Sequence, residues 1–127
     1  MTYDSSNIFA RILRSEIPCH KIAEDTYFLA FHDIAPHAPV HALIIPKGAF
    51  VDAQDFHKNA GIEEIVGFYK GVAHVVDMLG VYAAGFRQIS NCGVNGGQEV
   101  PHYHVHILGG DKLGPMLSRA QLGVVNS

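Results

Sequence analysis

Apolar side chains recur with a helical period in two segments of this chain. The first predicts a short helix over Ile8–Leu13, with Ser5 or Ser6 as its N-terminal cap. The second predicts a longer helix from about Lys58 to Leu79, with its apolar residues on one side and Gly80 as its end. We therefore expect one short and one long helix.

Strand-like runs account for most of the remaining chain. Four of them cover about residues 19–23, 27–32, 40–45 and 84–90, and a fifth carries three histidines after residue 101. Most connections are short, and strands and helices do not alternate regularly. This favours an α+β fold in which helices cover one face of an antiparallel sheet. Residues 111–127 are weakly patterned and predict a C-terminal tail.

Composition and charge restrict the class of protein. With 127 residues, 48% of them hydrophobic and 17% charged, the chain predicts one globular domain. A net charge of -3 without a Lys or Arg run argues against nucleic acid as a partner, although a nucleotide remains possible. No apolar run approaches the length of a membrane span, and the N-terminus does not resemble a secretory signal. Cys19 and Cys92 predict free thiols, which favours a cytoplasmic location.

The strongest chemical signal is a histidine at every second position after Pro101. Alternate side chains of a strand share a face, so His102, His104 and His106 are predicted to lie together. The residues between them are apolar enough to pack on a core. Imidazole can be a nucleophile, a proton shuttle or a metal ligand near neutral pH. Like charges disfavour one another, so at least one of the three rings should be neutral.

The preceding loop favours a phosphate ligand for this row. Glycines at 93, 96 and 97 permit a close turn whose N–H groups could meet an anion, and Asn91 and Gln98 add neutral donors. The alternative is zinc, since alternating histidines can supply two or three ligands. A closed zinc site normally needs a fourth ligand, and no cysteine pair lies nearby. The isolated histidines are expected to be structural or surface residues: His20, His37, His57 and His74.

Several separated motifs resemble the histidine triad superfamily. Residues 102–108 match its His-x-His-x-His signature followed by apolar residues. The glycines at 109–110 and the Gly-Gly-Gln at 96–98 resemble its Hint branch, the purine nucleoside phosphoramidases. The similarity also takes in residues 7–9, 16–18, 31–34 and 41–47, in the same order along the chain. Agreement of several ordered motifs is far more specific than the triplet alone.

The resemblance implies a meander of about five antiparallel strands, formed by residues 1–110, and a homodimer whose two sheets are continuous. It also implies a two-step reaction without a metal or other cofactor. His104 would attack the α-phosphorus of an adenosine or guanosine phosphoramidate and displace the amine. Water would then release the nucleoside monophosphate from the histidine.

The resemblance also assigns roles to individual residues. His102 and His106 would flank the phosphate, His102 nearer the leaving group, and His41 would support the triad. Asp33 would hold the ribose hydroxyls. Six residues match the family's base pocket, and the alternative for the apolar ones is that they belong to the hydrophobic core. They are Ile8, Phe9, Ile12, Phe31, His32 and Ile34. Those to the phosphate side are Asn91, Gly97 and Gln98.

Two positions differ from relatives of this family. Glu99 stands where phosphoramidases commonly have a serine, so it could contact a cationic leaving group or face solvent. Some bacterial relatives hold zinc with cysteines near Ile8 and Phe9, but here the positions that flank this pair are Asn7 and Ala10, so no metal is expected. The alternatives are a dinucleoside polyphosphate hydrolase or nucleotidyl transferase of the same superfamily, against which the glycines at 109–110 weigh, and a non-catalytic nucleotide-binding protein.

Overall fold

A computed structural model describes residues 2–117, which form a five-stranded sheet and four helices. The elements in chain order are α1 (Ile8–Leu13), β1 (Lys21–Glu24), β2 (Phe28–His32), β3 (Val40–Pro46), α2 (Ala53–Asn59), α3 (Ile62–Leu79), β4 (Phe86–Ile89), α4 (Gly93–Gly96) and β5 (Val105–Gly109). The strands lie in the order β1-β2-β3-β5-β4, and every neighbouring pair is antiparallel. The predicted α+β meander is thus confirmed.

The sheet is covered by apolar residues on both faces. In β2 and β3 successive side chains alternate between two separate buried clusters, because adjacent residues of a strand point to opposite faces. One cluster packs against α3 through Phe68 and Val75, both fully buried. The other contains Phe9 of α1 together with Phe31 and Leu43. The expectation that helices cover only one face was therefore wrong, and the nearly continuous apolar runs of β2 and β3 explain why.

The cap of α1 differs from the predicted one. Asn7 begins the helix, since its Oδ1 accepts a hydrogen bond from the Ala10 N–H at 2.9 Å. Its Nδ2 donates to the Asp4 carbonyl at 2.7 Å, and Ser6 is instead bonded to the Asp4 carboxylate. Asn is as good a cap as Ser, so the choice depends on where the buried stripe begins. That stripe starts with Phe9, two residues after Asn7.

The predicted long helix is interrupted near its start. α2 is a separate helix capped by Asp52, and the chain is extended at Ala60 and Gly61 before α3 begins. The end at Gly80 is confirmed, because this residue has the left-handed conformation (φ 68°) that favours glycine. Neither α3 nor any other helix of residues 2–117 is long and apolar enough to cross a membrane.

The predicted C-terminal tail lies only partly within the described residues. Its first part contacts β4, because the Arg87 guanidinium donates to the carbonyls of Gly114 at 2.8 Å and Pro115 at 3.4 Å. Residues 118–127 lie outside the described range. The boundary at residue 110 therefore stays a prediction.

Candidate active site

The three alternating histidines lie on one side of the sheet, but only His106 belongs to a strand. β5 begins at Val105, because the Tyr103 N–H donates to the Phe50 carbonyl at 2.7 Å instead of to a neighbouring strand. His106 lies opposite Leu43, a member of the cluster around Phe9. The Phe9 ring contacts the rings of both His104 (centroids 5.0 Å apart) and His102 (6.5 Å). The predicted common face is correct, although the predicted strand was too long.

His104 has the proton arrangement of a nucleophile. Its Nδ1 lies 2.7 Å from the His102 carbonyl, and a carbonyl only accepts, so the proton is on Nδ1. Nε2 is then unprotonated and carries the free lone pair. Burial lowers the pKa of His104, against opposing effects of the His102 carbonyl, Asp33 and Glu99. The expectation of a neutral ring holds for this residue, with burial, rather than like charge, as the main cause.

Two other histidines form a directed chain of hydrogen bonds. The backbone N–H of His37 donates to Nδ1 of His41 at 3.0 Å, so the His41 proton is on Nε2. That Nε2 lies 2.9 Å from Nδ1 of His106, which must accept, and the His106 proton is therefore on its own Nε2. Burial lowers the pKa of His41 and, with the neighbouring histidines, lowers that of His106 to about 4. His106 is a neutral donor that can bind an anion.

The same tautomers argue against a metal ion at this position. Donor atoms of Asp33, His41 and His106 lie within 4.8 Å of one another, close enough to share an ion. A neutral imidazole that binds metal through Nε2 carries its proton on Nδ1. On His41 that proton would face the His37 N–H, and their hydrogen bond would be lost. The arrangement suits a hydrogen-bond network better than a metal centre.

His102 has a different environment from the other two triplet members. Its side chain has no exposed surface, and it does not line the cavity described below. Nε2 donates to the Pro46 carbonyl at 3.0 Å, so Nδ1 accepts from the Tyr3 hydroxyl at 2.6 Å. Burial lowers its pKa to about 4. In this structure His102 lies outside the cavity, and its backbone carbonyl binds the His104 ring.

A cavity of about 520 Å³ opens in front of His41, His104 and His106. All six residues matched to the base pocket line it, as do Asp33, Asn91, Gly97 and Glu99. The lining residues that the sequence did not single out are Ile17, Pro18, Cys19, Ala35, His37, Leu43 and Val100. The structure thus brings together most of the predicted nucleotide-binding residues.

Two residues near the cavity have contacts that the sequence did not predict. Gln98 does not line the cavity, because its side chain donates to the carbonyls of Val51 at 2.7 Å and Val100 at 3.0 Å and accepts from the Gly93 N–H. It holds the loop in shape. His37 is exposed, in agreement with the expected surface position, and it also lines the cavity with its ring 5.6 Å from that of His41. Its position four residues before His41 in a proline-containing loop is a signal that could have identified it.

Comparison with known proteins agrees with these features. A family model described as the HIT domain matches residues 14–113. The chain belongs to the HIT family. It is 52% identical over 118 residues to a HIT-like protein of Azospirillum brasilense, covering 93% of this chain and 97% of that protein. It is 41% identical over 116 residues to the purine nucleoside phosphoramidase of Escherichia coli K12, covering 91% and 96%.

Solved structures of HIT proteins share the fold over most of this chain. A HIT family hydrolase from Clostridium thermocellum superposes with a TM-score of 0.81 at 36% identity, covering 91% of this chain and 99% of that one. A histidine triad protein from Clostridium difficile gives the same score and identity, and all of that chain is covered. The predicted resemblance is therefore confirmed.

The charge of this HIT cavity is unusual for an anion site. No Lys or Arg is among its lining residues within the described part of the chain. Its formally charged residues are Asp33 and Glu99, and burial lowers the pKa of three of its histidines, His41, His104 and His106. An anion would therefore be bound by neutral N–H donors, which suits a ligand with little negative charge.

Proposed function

We propose that this HIT protein hydrolyses purine nucleoside 5′-phosphoramidates through a nucleotidyl intermediate on His104. One observation carries the proposal: a buried imidazole with an unprotonated Nε2 lies in a cavity beside a second imidazole that can donate from Nε2. This combination supplies a nucleophile for phosphorus and a donor for its oxygens. The name of the E. coli relative supports the same substrate class.

The reaction has two steps. Nε2 of His104 bonds to phosphorus as the P–N bond breaks, and the leaving amine takes up one proton from solvent water. His106 donates to a phosphoryl oxygen, and the Nδ1 hydrogen bond of His104 stabilises the positive charge that forms on its ring. Water then attacks phosphorus, the bond to His104 breaks, and one proton is released. His102 and His41 position these groups, since His41 orients His106 and the His102 carbonyl orients His104.

The nucleoside part of the substrate fits the remaining cavity wall. Ile8 is 44% exposed and Ile34 88% exposed, although both line the cavity, so their apolar surfaces are available to a purine. We assign the ribose hydroxyls to Asp33. The Ala35 N–H donates to its Oδ1 at 2.8 Å and holds the carboxylate in place. A carboxylate accepts two hydroxyl donors well.

The cavity charge favours a phosphoramidate over a polyphosphate. A dinucleoside polyphosphate brings several negative charges, and two carboxylates without a neighbouring Lys or Arg in the described cavity lining would repel it. A nucleoside phosphoramidate brings only one. This observation argues against the polyphosphate hydrolase as the alternative function.

The direct test measures amine release from an adenosine 5′-phosphoramidate. We expect turnover by the natural chain, loss by several orders of magnitude in His104→Ala with AMP binding retained, and no effect of the exposed control His74→Ala. Mass spectrometry of quenched mixtures should show the adduct on His104. AMP binding without turnover by the natural chain would indicate the non-catalytic alternative, and full turnover by His104→Ala would refute the assigned nucleophile.

We also propose a homodimer with a continuous sheet. β4 is an edge strand, so one side of its backbone has no partner strand within residues 2–117. A mostly apolar groove lies between β4 and α3, and Tyr82 at its border is 76% exposed. A second copy that adds its own β4 would form hydrogen bonds with the backbone N–H and C=O groups on this side of β4 and would cover the groove.

The oligomeric state of two neighbouring variants tests this dimer. Ala73→Glu places a charge in the groove, whereas His74→Glu changes the next exposed residue, which lies outside it. Sedimentation should give a dimer for the natural chain and for His74→Glu, and a monomer for Ala73→Glu. A monomeric natural chain would refute the proposal.

The same function suggests a cytoplasmic location, where nucleotide conjugates are available. Cys19 and Cys92 are both free thiols, and a reducing compartment would keep them so. Cell fractionation with an antibody to the chain tests the location.

A further inference from the structure

We propose that Glu99 favours substrates whose leaving amine carries an additional, positively charged group. The inference rests on the proposed phosphoramidase function and specifies its substrate class. The ligands would be nucleoside phosphoramidates of diamines or of basic amino acid side chains.

Of the two cavity carboxylates, Glu99 has no partner among residues 2–117. Asp33 accepts from the Ala35 N–H at 2.8 Å, and its Oδ2 lies 3.4 Å from Nε2 of His41. Glu99 lines the same cavity and is exposed, but no hydrogen bond or ion pair joins its carboxylate to another residue of 2–117. The described cavity lining contains no Lys or Arg that could pair with it. Its charge is thus available to a cationic ligand.

The two carboxylates act on different parts of the histidine row. Asp33 raises the pKa of His41, His104 and His106 against the effect of burial. Glu99 raises the pKa of His104 alone among these residues. Asp33 lies at the His106 end of the triplet, because its Oδ2 is 3.4 Å from Nε2 of His41, which in turn is 2.9 Å from Nδ1 of His106. Glu99 lines the same cavity but stands shortly before His102 in the chain, at the other end of the triplet.

This placement puts Glu99 beside the departing amine. With phosphorus in front of His104 and the ribose on Asp33, the nucleoside occupies one end of the row. The amine then extends toward the other end, where Glu99 lies. A carboxylate repels a phosphoryl group but attracts an ammonium carried by the amine. In an exposed position such a pair changes a binding constant by at most about fivefold, and salt weakens it.

The test compares three adenosine phosphoramidates of equal chain length, which end in an ammonium, a hydroxyl or a carboxylate. For the natural chain we expect kcat/KM to be about fivefold higher for the ammonium than for the hydroxyl conjugate, and lowest for the carboxylate. Added salt should reduce these differences. Glu99→Gln keeps the shape and removes the charge, so its kcat/KM should be equal for the ammonium and hydroxyl conjugates. Glu63→Gln, an exposed residue outside the cavity, should keep the preference of the natural chain.

The outcomes distinguish a failure of this proposal from a failure of the proposed phosphoramidase function. Equal turnover of the three conjugates by the natural chain, or an unchanged preference in Glu99→Gln, would overturn the role of Glu99 and leave the phosphoramidase function standing. Failure of the natural chain to turn over any conjugate would refute both.

Discussion

Replacing Tyr3 by Phe tests the hydrogen bonds that hold the histidine row. The substitution removes one oxygen and keeps the aromatic ring, which meets the His102 ring edge-on with centroids 5.7 Å apart. His102 has no exposed surface, and each of its nitrogens has one partner. In the variant Nδ1 loses its donor. The ring cannot move its proton to compensate, because an unprotonated Nε2 would then face the Pro46 carbonyl.

The expected cost follows from the burial of this nitrogen. Leaving a buried acceptor unsatisfied costs about 1–3 kcal/mol. Tyr3 is only half-buried, so its hydroxyl stabilises the natural chain less than a fully buried hydroxyl would. We therefore expect Tyr3→Phe to lower the free energy of unfolding by about 1–2 kcal/mol. With a urea dependence of about 2 kcal/mol per molar, the unfolding midpoint should fall by about 0.5–1 M.

Urea unfolding followed by far-UV circular dichroism measures this change, since the chain has no Trp to report by fluorescence. Protein concentration must be held constant, because dimerisation would link it to stability. Tyr27→Phe is the matched control, as its hydroxyl bonds to no residue of 2–117. In ¹⁵N spectra, the Nδ1 resonance of His102 should move to higher frequency only in Tyr3→Phe. Equal midpoints and an unmoved resonance would refute the proposed tautomer.

Three further predictions follow from burial and packing. The pKa of His102 is about 4 in the folded chain and about 6.5 in the unfolded one, so the unfolded chain binds the proton first as pH falls. Stability should thus decrease between about pH 6.5 and 4, by about 3 kcal/mol from this residue, and urea midpoints that do not fall on acidification would contradict it. Gly71→Ala would place a Cβ in steric overlap with the ring of Phe28, which is buried. Despite the better helix propensity of Ala, we expect about 1–3 kcal/mol of destabilisation in the same assay, and an unchanged midpoint would contradict this expectation. Asn7→Ala removes the cap bond to Ala10 and should cost about 0.5–2 kcal/mol by thermal unfolding, whereas equal melting temperatures would show that the cap is dispensable.

Much of the sheet could be predicted because its signals are local. Alternation in residues 102–107 correctly separated the histidine face from Tyr103, Val105 and Ile107, which all pack in the core beside α3. Gly80 ended the long helix where a left-handed residue is required. The break before α3 was missed, because Asp52 and Gly61 act as caps only once the chain between them has turned. A local pattern does not show where that turn occurs.

The residues that match the family's nucleotide site were predicted from ordered motifs, and the structure brings most of them to one cavity. Gln98 was matched to the phosphate side, but it does not line the cavity. Its amide could have been a phosphate donor or a loop support, and only its distance to the Val51 carbonyl, 47 residues away, decides for the support. The cavity role of His37 likewise depends on how its loop folds back onto His41.

The sequence by itself predicted which side chains could take part in the chemistry: three imidazoles from the strand alternation, and a fourth at His41 and a carboxylate at Asp33 from the resemblance to the family. Only the tertiary structure decided where their protons lie. The tautomers of His102 and His106 depend on bonds to partners 99, 56 and 65 residues away, namely Tyr3, Pro46 and His41. An imidazole has two nearly equivalent nitrogens, so the surrounding donors and acceptors choose between them, and folding alone brings those groups together.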